Sequence, residues 1–224
     1  MSVILEAKGL AFAYGGQEYL FKDIDLSLNE GEIVGITGDS GSGKTTLINC
    51  LCGIIPHIYS GEMHGKVYLF GKDLREMKLP EIATKAGVLF QNPDTQLFSE
   101  AVIDDIVFGP ENLCRSWPEI DAGLKNALGL TGMGEKSFRK PKSLSGGEAQ
   151  LAALAAALPL DPAILFFDEA MSQLDESGVA AVCGCALKLK SEGKSIVIVE
   201  HEKKRLEIAD RILLLEGGGL KCLK

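Results

Sequence analysis

The sequence predicts an α/β fold in which a mostly parallel sheet carries a phosphate-binding loop, flanked by an amino-terminal antiparallel β flap and a helical insert. Three observations predict it. Runs such as AILFF, Ala163 to Phe167, and SIVIV, Ser195 to Val199, are apolar at every position, which suits parallel strands covered by helices on both faces. The stretch GEIVGIT-GDSGSGKTT-LINCLCGI reads as strand, glycine-rich loop and helix in direct succession. From about Gln91 to Pro159 the strand pattern vanishes, and Pro93, Pro110, Pro118 and Pro141 punctuate helical periodicity instead.

Taken along the chain, VILEAKGLAFAY and IDLSLNEGE alternate apolar and polar residues, with turn residues at Gly15, Gly16 and Asn29 to Gly31, so they form the flap. Buried strands are expected at Ile33 to Thr37, Gly87 to Phe90, Ala163 to Phe167, Ser195 to Val199 and Arg211 to Leu215. At 224 residues, 46% of them hydrophobic, the chain supports one well-filled core. The expected organisation is a single domain, with residues 1–90 and 160–224 as the nucleotide-binding core and its flap, and residues 91–159 as the helical subdomain. The last stretch, LEGGGLKCLK, is too short for a further domain, and no internal repeat is present.

A net charge of −8 argues against a nucleic-acid partner, which would call for a surface that neutralises phosphates. MSVILEAKGL carries Glu6 and Lys8 among its apolar residues and does not read as a secretory signal. The most apolar stretch, Leu151 to Leu160, is far shorter than the roughly 20 residues that span a bilayer. A cytoplasmic protein is therefore expected. Its six cysteines include the C-x-C pairs Cys50/Cys52 and Cys183/Cys185. Both pairs lie in helical patterns, where residues two apart point to different faces, so reduced thiols are expected rather than a metal centre.

The segment Gly38 to Thr45 matches G-x-x-x-x-G-K-[ST]. Gly38, Gly41 and Gly43 allow the backbone to approach phosphates closely, and the loop amides then point inward, together with the positive end of the following helix. Lys44 adds a point charge for the terminal phosphates, and the Thr45 hydroxyl can ligate Mg²⁺. ATP or GTP binding follows, with contacts expected from Gly38, Asp39, Ser40, Gly41, Ser42, Gly43, Lys44, Thr45 and Thr46. A phosphate loop alone does not name the reaction, because many enzyme classes carry one.

AILFFDE ends a buried strand in two carboxylates. Asp168 is placed to reach the metal, and Glu169 to polarise a water for attack on the γ-phosphate. LSGGEAQ, Leu144 to Gln150, holds a capping box in which Ser145 pairs with Glu148, so a helix starts there. Its open amides, uncrowded at Gly146 and Gly147, form a second anion site.

These motifs resemble the ABC-type ATPases over essentially the whole chain. GDSGSGKT is similar to Walker A, LSGGE to the LSGGQ signature, ILFFDE to Walker B and SQLD, Ser172 to Asp175, to the D-loop. Gln91 resembles the Q-loop glutamine, His201 the switch histidine and Tyr14 the aromatic residue on which adenine stacks. The resemblance implies a P-loop NTPase, RecA-like core with an ABC-specific helical subdomain, using ATP and Mg²⁺. It implies a head-to-tail pair, homodimeric or heterodimeric, in which each ATP is held by the P-loop of one subunit and by Ser145, Gly146, Gly147 and Glu148 of the other, with Asp175 nearby. Gln91 then touches the metal with Thr45 and Asp168, while His201 holds the γ-phosphate beside Glu169.

The segment GVLFQNPDTQLFSEAVIDDIVFGPENL resembles energy-coupling-factor (ECF) ATPases, which drive uptake of vitamins and transition metals, and GIIPHIYSGEMHGKVYLFGKDL resembles the subgroup for thiamine-related precursors. That likeness implies a transmembrane subunit docking near Asn92 to Phe98 and a peripheral location on the inner face of the cell membrane. Some positions depart from the family pattern. Glu148 replaces glutamine, Ala149, Leu151 and Ala156 stand where basic residues are usual, Ala170 stands for proline, and the extension that strengthens many such dimers does not follow the last strand. Glu148 is expected to weaken ATP closure modestly, and the dimer to depend on ATP or a partner. Two alternatives stay open: an ABC ATPase outside transport, and the weakly active partner of a heterodimer.

Overall fold

The structure is a computed structural model describing residues 2–224. In chain order the elements are β1 (Val3–Ala13), β2 (Phe21–Asn29), β3 (Ile33–Thr37), α1 (Lys44–Leu51), α2 (Ile54–His57), β4 (Glu62–Leu69), β5 (Lys72–Asp73), α3 (Leu79–Ala83) and β6 (Ala86–Leu89). They continue as α4 (Val102–Asn112), α5 (Trp117–Thr131), α6 (Gly146–Ala157), β7 (Ile164–Asp168), α7 (Glu176–Ser191), β8 (Ser195–Val199), β9 (Arg211–Glu216) and β10 (Gly219–Cys222). Between β6 and β7 the chain is helical, with short 3-10 turns and no strand.

A six-stranded sheet runs β10-β9-β3-β8-β7-β6, parallel except for β10, which pairs antiparallel with β9. The last residues thus add an edge strand, made possible by the turn at Gly217 and Gly218, both at positive φ. The flap is a separate antiparallel sheet, β2-β1-β4-β5. The expected mostly parallel α/β fold with an amino-terminal antiparallel flap is the one observed.

Period-2 geometry explains the uninterrupted apolar runs. Along β7, Ile164 and Phe166 enter the core shared with α1 and the flap, whereas Leu165 and Phe167 enter the core under α4, α6 and α7. All five β7 residues are consequently buried. Helix α6 is enclosed by α4, α5 and α7, and its run of alanines lets these helices approach closely. Gly35 in β3 has a similar purpose, because an added Cβ would lie 3.1 Å from the Leu206 side chain.

Polar ties join the two sheets where the flap meets the core. Arg211 Nε donates to Glu32 Oε1 at 3.0 Å, and the Ser195 hydroxyl donates to the Asn29 carbonyl at 3.0 Å while accepting the Gly31 N–H at 2.8 Å. Cys50 and Cys52 differ from expectation. Helix α1 ends at Leu51, so Cys52 is its C-cap and escapes helical spacing, and both thiols enter the same core, where burial pushes each up to about 12. Among the described residues no cluster of three or more His, Cys, Asp or Glu side chains could hold a metal ion, and no helix is long and apolar enough to cross a membrane.

Phe166 is fully buried at the centre of this arrangement. Phe166→Ala is expected to lower unfolding stability by about 3–5 kcal/mol, measured by denaturant titration. A loss below about 1 kcal/mol would show that the two sheets close over the void.

Candidate functional site

The site forms where β3, β7 and β8 end side by side. After Thr37 the chain turns through Gly38 and climbs to Gly43, the N-cap of α1. Two glycines are required by geometry: a Cβ at Gly38 would lie 2.4 Å from the Leu215 carbonyl oxygen, and Gly43 has φ 95° with the Phe21 ring 3.3 Å from any Cβ. No acidic side chain occupies the first turn of α1, so its free amides face the loop uncontested.

Lys44 is buried and folded back over this loop. Its Nζ donates to the Gly38 carbonyl at 3.0 Å and the Asp39 carbonyl at 2.8 Å, and lies 3.9 Å from Glu169 Oε1. Burial lowers its pKa, opposed by Glu169, Asp168 and Asp39. The Thr45 hydroxyl donates to Asp168 Oδ1 at 3.1 Å. Burial pushes the Asp168 carboxyl up to about 6, and the Thr45 hydrogen bond resists the shift.

Glu169 has φ 51°, a left-handed conformation uncommon for glutamate, and its N–H donates to the Val199 carbonyl at 3.0 Å. That twist turns its side chain toward β8, where Oε1 lies 2.7 Å from His201 Nε2. The other ring nitrogen, Nδ1, lies 3.2 Å from the Gly38 carbonyl oxygen. Glu169, His201, Gly38 and Lys44 thereby close one ring of polar contacts. A cavity of about 420 Å³ opens over it, lined by Leu20, Ser40, Gly41, Gly43, Lys44, Thr45, Thr46, Glu169 and His201.

The donor set suits a magnesium nucleotide. Ser42 Oγ is buried without a partner, the α1 amides are free, and Thr45 and Asp168 present hard oxygens to one point. Tyr14, 38% exposed, reaches this cavity's edge through its hydroxyl, 3.3 Å from Thr46 Oγ1. Gln91 is directed elsewhere: its Nε2 donates to Ser172 Oγ at 3.2 Å, and it lines a different cavity of about 500 Å³ with Asn92, Pro93, Gln150 and Ala170.

Ser145 is the N-cap of α6 in a capping box with Glu148, as the spacing predicts. With Gly146, Gly147, Glu148 and Asp175 it lines a third cavity, of about 460 Å³, which shares no residue with the one over Lys44. Asp175 caps α7 by accepting the Gly178 N–H at 2.9 Å. One copy of the chain therefore carries two helix starts that open onto separate cavities.

Residues 21–172 match the family described as ABC transporter. The chain belongs to this family. An ABC transporter ATP-binding protein of Pyrococcus horikoshii is 41% identical over 96% of the chain and 77% of its own length. The energy-coupling factor transporter ATP-binding protein EcfA of Methanosarcina acetivorans is 37% identical over 96% of the chain and 77% of its own length. Among solved structures, cbiO1 of Clostridium perfringens, part of the ABC transporter complex cbiONQ, superposes with a TM-score of 0.89 at 27% identity, covering 99% of the chain and 88% of cbiO1. A dimeric ATP-binding cassette in a post-hydrolysis state, bound to ADP and Pi, gives 0.83 at 25% identity over 98% and 99%.

This ABC ATPase also contains a buried network, centred on Glu200, that no motif in the sequence marks. Glu200, 1% exposed, accepts the Met171 N–H at 2.8 Å, and Arg205 Nη1 donates to the Met171 carbonyl at 2.7 Å. The two side chains hold the N–H and the carbonyl of one residue, Met171, in the loop after Glu169, tying it to the loop that carries His201. The available signal was a glutamate directly after the wholly apolar SIVIV run.

Burial pushes Glu200 up to about 7 from 4.5, so the folded chain retains a proton that the unfolded chain has lost between those values. Stability from this group is thus fully present below about pH 4.5 and declines as pH rises to about 7. Glu200→Gln, which keeps an acceptor for Met171 but cannot ionise, is expected to flatten that decline in the thermal midpoint, leaving the Asp168 contribution. Identical slopes for both proteins would contradict the assignment.

Proposed function

We propose that this chain is the ATP-hydrolysing subunit of an ECF-type importer for a vitamin, a vitamin precursor or a transition metal ion. The observation that carries the ATPase reading is the polar ring of Glu169, His201, Gly38 and Lys44 beneath one cavity. Glu169 takes the proton of a water attacking the γ-phosphate, the bond to the ADP oxygen breaks, and phosphate leaves. His201 orients Glu169 and contacts the γ-phosphate. Lys44 leaves the Gly38 and Asp39 carbonyls for the β- and γ-phosphates as these enter, which Asp39 to Thr46 cradle, while Tyr14 offers its ring to adenine. Thr45, Asp168 and Gln91 would hold Mg²⁺, which when bound would neutralise charge on the phosphates. For Gln91 this requires leaving Ser172.

The separation of the Lys44 and Ser145 cavities supports a head-to-tail pair. Each nucleotide lies between the P-loop of one copy and Ser145 to Glu148 of a facing subunit, with Asp175 at the seam. Residues 1–90 and 160–224 form the nucleotide-binding core with its flap, and 91–159 the helical subdomain. The cavity of about 500 Å³ beside Gln91, Asn92 and Leu97 supports docking of a transmembrane subunit along Asn92 to Phe98 at the inner face of the membrane. ECF-type import draws support from the EcfA relative and from the cbiO1 likeness.

Glu169→Gln is expected to retain ATP binding and to lose about 10²- to 10⁴-fold in hydrolysis, with a dimer visible by light scattering only when ATP is present. Full hydrolysis by this variant would remove Glu169 from the role. Import is tested by identifying the membrane protein that copurifies from detergent-solubilised membranes. Recovery with ribosomes or DNA instead would overturn it.

A further inference from the structure

Glu148 divides its carboxylate between two partners. Oε2 accepts the Ser145 backbone N–H at 2.9 Å and completes the capping box. Oε1 receives Lys136 Nζ at 2.7 Å, from a short 3-10 turn, Gly134–Lys136, that follows α5. Lys136 and then Ser145 hold the Glu148 carboxyl down at about 2, so it is an anion at neutral pH. It is also an anion beside the mouth of α6, where Ser145, Gly146 and Gly147 open onto a shared cavity. A carboxylate there supports the helix through its dipole, yet repels any phosphate that approaches the same amides. Asp175, on the same cavity, adds to the repulsion, although it is turned onto Gly178 and Ser177.

We propose that Lys136 is a positioning residue for ATP capture, neutralising Glu148 and holding its carboxylate against the first turn of α6 so that the Ser145 to Gly147 amides remain open to phosphate. The inference rests on the reading that this helix end faces a nucleotide carried by the other subunit. It removes the difficulty that a glutamate in the signature presented from sequence, because the compensating charge lies twelve positions upstream, outside the motif.

The test uses the full chain carrying Glu169→Gln and measures by light scattering the ATP concentration that gives half-maximal dimer. Lys136→Met is expected to raise it by about three- to tenfold, the effect of one unscreened surface charge, and the shift should shrink at high salt. Lys136→Met with Glu148→Gln should match Glu148→Gln alone, since glutamine keeps the acceptor for Ser145 and has no charge to balance. An unchanged requirement in Lys136→Met, or an impairment that persists in the double variant, overturns the proposal. Ser145→Arg separates the two ideas. If it abolishes dimerisation while Lys136→Met has no effect, only the Lys136 role fails; if ATP still drives dimerisation, or never does with Ser145 intact, the facing-subunit reading fails and takes this inference with it.

Discussion

Parallel pairing of β3, β8 and β7 in one register is the constraint on which the site depends. Ile36 lies opposite Val199, and Val199 opposite Asp168, so three strands end in a single row. The next residues of each strand are then neighbours without further folding: Gly38 beyond β3, Glu169 beyond β7, and Glu200 with His201 beyond β8. A slip of one residue would send Asp168 to the opposite face and separate Thr45 from its carboxylate. The site is consequently as rigid as the sheet that ends there, and the sheet is held by side chains buried on both faces.

That rigidity allows charges to be held in unfavourable settings. Asp168 and Glu200 are buried carboxylates with raised pKa values, and Lys44 is a buried ammonium held by backbone carbonyls. Isolated, each would cost several kcal/mol to bury, and each is tolerated because neighbouring dipoles meet it at fixed geometry. The carboxylates are fixed in place by these contacts, whereas Lys44 would have to exchange the Gly38 and Asp39 carbonyls for the oxygens of an incoming polyanion. The Glu200–Arg205 clamp on Met171 extends the same logic to the loop between β7 and α7, joining it to the histidine loop by hydrogen bonds.

The capped start of α6 is built from local elements and sits on the helical part of the chain. Nothing in a single copy brings it to the cavity above Lys44, since the two cavities share no residue. In the head-to-tail pair proposed above, nucleotide binding would be coupled to association, because a second subunit would complete the set of donors around the phosphates. A charge at that seam would act on association directly, and the Lys136–Glu148 pair lies beside it.

Features set by adjacent residues were determined by the sequence alone. The glycine loop, the Ser145–Glu148 capping box and the two-sided burial of AILFF and SIVIV each follow from spacing of a few positions, and local geometry obeys spacing. Tertiary structure decided what depends on residues distant along the chain: the Glu200 clamp on Met171, the pairing of Lys136 with Glu148, and the contact of Gln91 with Ser172. Each joins side chains or backbones whose own neighbours in sequence say nothing about the partner. Their meeting is fixed by strand order and helix packing, and a one-dimensional pattern holds no record of those.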